Sequence, residues 1–112
     1  MEMMSKKYLI TSDPVVSKYT DSVRDRLKSR LKNIYLFGSR ARGDAWDGSD
    51  YDMALVVKNR DRILEEEVLD VSTFLLDEFE ALISTHIFTE EEWSLEKKLP
   101  LGINILKEGI AL

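Results

Sequence analysis

LFGSRARGDAWDGSDYDMALVV, Leu36 to Val57, encloses a Gly-Ser turn, two arginines and two aspartates one residue apart between two apolar runs. The downstream run DMALVV, Asp52 to Val57, has the content of a buried strand, and the upstream run NIYLFG, Asn33 to Gly38, ends on a glycine as a strand feeding a turn does. Asp50 and Asp52 stand at the mouth of the second strand, where alternation sends both carboxylates to one face, about 7 Å apart along the backbone. Carboxylates held together raise one another's pKa unless a positive charge sits between them. A hard divalent cation such as Mg²⁺ removes that conflict and commonly brings a substrate phosphate with it.

The upstream residues suit such a phosphate. Gly38 permits a sharp turn, and Ser39 adds a hydroxyl and a backbone N–H at what reads as the start of a short helix, SRARG, where anions are favoured. Arg40 and Arg42 carry charge to the same place, but alternate residues on a helix do not share a face, so only one is expected to point inward. Gly43 to Gly48, with Trp46 between, reads as a joining loop. Each feature also has an ordinary reading: a Gly-Ser turn, a solvated Asp-x-Asp strand end, a tryptophan that anchors its loop. Their order and closeness on adjacent strands are what point to chemistry.

Further out, Asp13-Pro14 is a helix start, and Val16, Tyr19, Val23, Leu27 and Leu31 give an apolar face to a helix over about residues 14 to 31. Within it, RDRLKSRLK, Arg24 to Lys32, is either a phosphate-binding face or a solvated one. From Asn59, Ile63, Leu64, Val68, Val71, Leu75 and Phe79 mark a long amphipathic helix. ALISTHIF, Ala81 to Phe88, is a third strand; Thr89 and Glu92 form a capping box; Pro100 opens a last helical segment that Gly109 ends. The order α, β, β, α, β, α, α predicts an α+β (mixed α/β) domain spanning 1–112, a small mixed sheet with helices packed on one face.

The chain has 112 residues, no cysteine and a net charge of −5. Disulfides and thiolate metal sites are excluded, Met1 to Lys7 lacks the apolar core of a leader, and no run approaches a membrane span, so a cytoplasmic location is expected. The charge is uneven: 10 basic and 7 acidic residues over 1–50, against 6 and 14 over 51–112. That distribution argues against an extensive nucleic-acid surface, which needs many phosphate-neutralising contacts, and favours local phosphate contacts or a basic protein partner. Self-association is left open.

The Gly38-Ser39, Arg40-Ala41-Arg42-Gly43 and Ser49-Asp50-Tyr51-Asp52 segments resemble the Gly-Ser…Asp-x-Asp signature of the DNA polymerase β-like nucleotidyltransferases, and within them the minimal nucleotidyltransferases, many of which act as antitoxins beside a HEPN-domain partner. The resemblance implies the nucleotidyltransferase fold, with Asp50 and Asp52 as catalytic and metal-binding residues. It implies Gly38, Ser39 and Arg42 as the nucleotide-binding residues, one or two Mg²⁺ ions, and ATP or another nucleoside triphosphate as substrate. The implied reaction moves a nucleoside monophosphate to a hydroxyl acceptor, here on a HEPN-type toxin. The alternative is a catalytically weak domain that neutralises a HEPN-type ribonuclease by binding it.

One departure bears on turnover. The superfamily usually carries a third carboxylate inside the strand after the long helix, and this strand has none. Glu80 lies just before the strand and by alternation shares a face with Leu82, Ser84 and His86, which makes it the nearest substitute. It equally reads as the end of the preceding helix. His86, the single histidine, is either a base near neutral pH or an ordinary strand residue.

Overall fold

A computed structural model describes residues 10–112; the Met1–Lys7 stretch lies outside them. Helix α1 (Pro14–Leu27) begins as its sequence dictates, with the Asp13 carboxylate accepting from the Val15 N–H at 2.8 Å and proline in the first turn. It buries Val15, Val16, Tyr19, Val23 and Leu27. The helix stops four residues before the expected end: Lys28 takes a positive φ of 50°, a 3-10 turn spans Lys28–Arg30, and Leu31 opens β1 (Leu31–Phe37) by pairing with Val57. The basic run Arg24 to Lys32 is therefore not one helical face. Arg26 pairs with Glu67 at 3.1 Å, Arg30 with Asp61 at 3.0 Å, and Arg24 donates to the Leu112 carbonyl.

After β1 come the one-turn helix α2 (Ser39–Arg42), β2 (Tyr51–Val57), α3 (Arg62–Phe79), β3 (Ile83–Thr89), α4 (Glu90–Glu96), α5 (Pro100–Glu108) and a short β4 (Ile110–Ala111). The sheet order is β3-β2-β1-β4; β1 runs antiparallel to β2 and β4, and β2 runs parallel to β3. The mixed sheet expected of the pattern is present. A crossover helix is what a parallel β2–β3 pair requires, and α3 supplies it.

The two long helices lie on one face of the sheet. There Leu64, Val68, Val71 and Leu75 of α3 and the buried side of α1 pack on Ile34, Leu36, Met53, Leu55 and Val57. Tyr19 is fully buried in this layer and its hydroxyl meets the Thr85 hydroxyl at 2.9 Å, which satisfies the one polar atom it carries inward. Ile63 and Phe79, expected on the buried side of α3, are instead 67% and 43% exposed because they fall at its two ends, beyond the sheet. On the opposite face a smaller layer forms from Ala54, Val56, Trp93 and Ile105, with Tyr35, Phe37, Phe88 and Leu101 against it. The short α4 and α5 supply that layer, α4 starting from the capping box of Thr89 and Glu92.

The apolar C-terminal segment docks on the chain's own sheet. Ile110 is buried, and Leu36 pairs with it on the free edge of β1. Among the described residues no helix is long and apolar enough to cross a membrane.

Candidate active site

The site grows from the junction of β1 and β2. Phe37, the last residue of β1, is paired with Asp52, so the turn at Gly38 leaves the sheet right beside the Asp52 side chain. Gly38 has φ 74°, a conformation L side chains rarely adopt. A Cβ there would stand 3.1 Å from the Asp52 carboxyl carbon and nearer still to Oδ2. Only a hydrogen fits, and the Asp52 carboxylate rests directly on the turn. The chain then winds into α2, with the Gly38 carbonyl accepting from Ala41 and Arg42 at 3.1 and 3.0 Å, and Ala41 buried beneath.

Asp52 is half-buried and Asp50 exposed. Loss of solvent raises the Asp52 carboxyl pKa, and the negative charge of Asp50 raises it further; His86 and Arg42 pull it the other way. The two carboxylates are near enough to influence each other, although Asp50 lies outside β2. Ala54 and Val56 share the Asp52 face of β2, which the shorter α4 and α5 cover only in part.

On β3, Ser84 is the register partner of Asp52 and His86 that of Ala54, so both stand on the same face as the aspartate. Ser84 stands level with Asp52, and β3 carries no acid. The His86 ring lies 5.8 Å from Phe37 and 6.4 Å from Phe88. Glu80 is not on the strand: it caps α3 in a left-handed conformation (φ 54°), three residues before β3 begins, so the alternation that would have aligned it with Ser84 does not apply. Among the described residues no group of three or more His, Cys, Asp or Glu side chains is placed to hold a metal ion. Two carboxylates remain, a donor set of hard oxygens that suits Mg²⁺ when phosphate oxygens and water complete the shell.

The two arginines part company, as their spacing requires. Arg42 is exposed and held by Glu108 of α5 at 3.0 Å and by Asp44 at 3.3 Å, while remaining close enough to Asp52 to lower its pKa. Arg40 turns the other way. Its Nε and Nη2 donate to the Ser49 carbonyl at 3.2 and 2.8 Å, Nη2 also to the Asp47 carbonyl at 3.3 Å, and its guanidinium lies 4.2 Å above the Tyr51 ring. Tyr51 in turn donates to Asp13 at 2.7 Å; burial and that hydrogen bond push its phenol up to about 12. The Asp13 partner of Tyr51 and the Glu108 partner of Arg42 have no signature in a linear motif, because they come from the two ends of the domain. The joining loop is closed by Trp46 and Ser49, whose backbone and side-chain groups bond each other at 2.9 and 3.0 Å, and the Trp46 ring, 73% exposed, folds over Gly48.

The aspartates stand on an open surface. A groove of about 440 Å³ lies elsewhere, between α3 and β3, lined by Val68, Leu69, Ile83 and Ile87 among others. An open face admits a large acceptor in a way that a closed pocket does not.

Comparison with known proteins agrees with this fold. A candidate protein adenylyltransferase of Methanocaldococcus jannaschii, MJ0604, is 29% identical over 103 residues, covering 92% of this chain and 99% of its own. Two solved structures share the fold: a toxin-antitoxin with AMP-PNP (TM-score 0.55, 18% identity, 83% of this chain and 68% of that one) and a tri-AMPylated Shewanella oneidensis HEPN toxin in complex with MNT antitoxin (TM-score 0.53, 18% identity, 94% and 70%). The family description "Polymerase beta, Nucleotidyltransferase" matches residues 23–112, a span holding the Gly38 turn, both aspartates and all four strands, and the chain belongs to that family.

Proposed function

We propose that this chain, acting as a single domain in the cytoplasm, transfers AMP from ATP to a hydroxyl of a HEPN-type toxin and so serves as its antitoxin. The observation that carries the reading is the seating of the Asp52 carboxylate on the Gly38 turn with Asp50 beside it. In this reaction a bond forms between the acceptor oxygen and the α-phosphorus, the bond from that phosphorus to pyrophosphate breaks, and the hydroxyl proton leaves. Asp50 and Asp52 would hold the Mg²⁺, which supplies neutralisation of the charge that builds on the departing pyrophosphate. Gly38 brings the backbone within reach of the triphosphate, Ser39 adds its hydroxyl, and Arg42 adds charge once it leaves Glu108.

Support for the acceptor class comes from relatives named for protein adenylylation and for an AMPylated HEPN toxin. The test is to incubate the chain with labelled ATP, Mg²⁺ and the product of the adjacent gene, and to look by mass spectrometry for an added AMP. Transfer by the wild type that is lost in Asp50→Asn plus Asp52→Asn is the expected result; no label on any acceptor and no Mg²⁺-dependent ATP binding would overturn it.

A second reading has its own observation. Ser84 stands level with Asp52 and β3 carries no acid, so the strand brings no third carboxylate to the pair. A domain that binds and occludes a HEPN-type ribonuclease, its acidic second half against a basic surface, would tolerate that loss. Suppression of the toxin retained by the double aspartate variant would favour this reading.

A further inference from the structure

We propose that Arg40 is a positioning residue: it sets Asp50 against Asp52 and the Gly38 turn, and contributes no charge to the triphosphate. The inference rests on the reading of the site given above and assigns one of its two arginines a separate task.

The argument starts from what Arg40 touches. Both residues flanking Asp50 are in its grip, Ser49 through the carbonyl that accepts at 2.8 and 3.2 Å and Tyr51 through the ring 4.2 Å beneath the guanidinium. A third bond, to the Asp47 carbonyl, holds the loop that leads into the pair. Tyr51 is itself fixed, by its hydroxyl on Asp13 at 2.7 Å and its N–H on the Leu82 carbonyl at 2.9 Å. Asp13 caps α1, so the position of Asp50 is referred through Tyr51 to the largest helical layer of the domain.

The other end of the linkage is α2. Arg40 follows Ser39 and stands two residues after Gly38, so the same one-turn helix that shapes the anion turn carries the side chain that holds the segment around Asp50. The distance from turn to carboxylate is thereby set by one planar group with a fixed fork of donors. Asp50 needs such help. It lies before the first residue of β2, outside the ladder that fixes Asp52. To reach a phosphate, Arg40 would have to abandon three hydrogen bonds and a stacked ring. Arg42, held only by exposed carboxylates, faces a far smaller cost.

Groups that orient a metal's carboxylate ligands typically change metal affinity about 10- to 100-fold when removed. The test measures Mn²⁺ binding to the full chain in the presence of ATP by electron paramagnetic resonance, with metal-free ATP binding and thermal unfolding recorded alongside. Arg40→Lys keeps the charge but not the fork or the plane, and it is expected to weaken Mn²⁺ about 10-fold while leaving metal-free ATP affinity and the unfolding midpoint near those of the wild type. Tyr51→Phe keeps the ring under the guanidinium but loses the bond to Asp13, and it is expected to weaken Mn²⁺ less than Arg40→Lys does. Equal Mn²⁺ affinity in Arg40→Lys and wild type overturns the inference and leaves the site reading intact. So does an Arg40→Ala variant whose metal-free ATP affinity falls and is restored by lysine, since that is the behaviour of a phosphate ligand. A wild type that binds neither Mn²⁺ nor ATP overturns the site reading and this inference with it.

Discussion

The Asp52 carboxylate rests on the backbone of Gly38, with no room for a methyl group between them. That contact makes one unit of the turn after β1 and the acid at the mouth of β2. Gly38→Ala would both strain a backbone at φ 74° and push the carboxylate away. We expect a loss of about 1–3 kcal/mol in denaturant unfolding, the usual cost of a non-glycine residue in such a conformation. Calorimetry should show Mg²⁺-dependent ATP binding lost even where the protein remains folded.

Asp52 gives a pH signature. Burial and Asp50 raise its carboxyl pKa in the folded chain, so the folded state holds that proton more tightly than the unfolded one. Stability conferred by this group is therefore greatest at low pH and is lost as pH rises from the unfolded pKa through the raised folded one. Asp61 has the opposite sign: the Leu64 N–H and Arg30 lower its pKa, and its contribution fades as pH falls through the folded value. In metal-free protein, Asp52→Asn should remove the first trend and leave the second. Urea unfolding of wild type and variant across the acidic range measures the difference directly, and a variant no less sensitive to rising pH contradicts the assignment.

Arg42 is expected to be a nucleotide ligand in reserve, held by Glu108 at 3.0 Å on an exposed surface. Solvent screens such a pair, so Glu108→Gln should scarcely change stability. It should tighten ATP by about two- to fivefold, the binding equivalent of releasing one such pair. Arg42→Ala should weaken ATP, and adding Glu108→Gln to it should have no further effect. Fluorescence titration of the four proteins closes the cycle.

Much of this was written in local pattern, and what was not has identifiable causes. Leu64, Val68, Val71 and Leu75 recur at helical spacing and are buried as that spacing requires, and the Thr89 and Glu92 box forms because both partners lie within one turn. The end of α1 was illegible because Lys28 adopts a left-handed φ with no glycine to signal it, and because Leu31 continues the helical stripe while belonging to a strand. β4 has two residues, too few for any alternation, and exists because the edge of β1 is there to pair with. At the site the Gly-Ser turn and the aspartates were readable from order and spacing. The tasks of Arg40 and Arg42 were not, since the Ser49 carbonyl and Glu108 that divide them are brought near only by the fold.

Ser84 offers the most direct test of whether the domain turns over slowly for want of an acid. It is the register partner of Asp52 on the neighbouring parallel strand and is exposed, so its side chain stands on the same face about one strand spacing, ~4.8 Å, away. Ser84→Asp would place a third carboxylate beside the pair without entering either core layer. In metal-free protein it should raise the Asp52 pKa further and lower stability near neutral pH, because a third negative charge joins two that already repel. With Mg²⁺ the sign reverses, and metal affinity and transfer rate should both rise, by about 10-fold or more if the added acid also accepts the acceptor's proton. On the proposed reading, in which Gly38, Ser39 and Arg42 hold the nucleotide, the KM for ATP should change little. Steady-state transfer to the proposed HEPN-type acceptor measures the split. A variant with tighter metal and no faster transfer would instead favour the domain that neutralises its partner by binding.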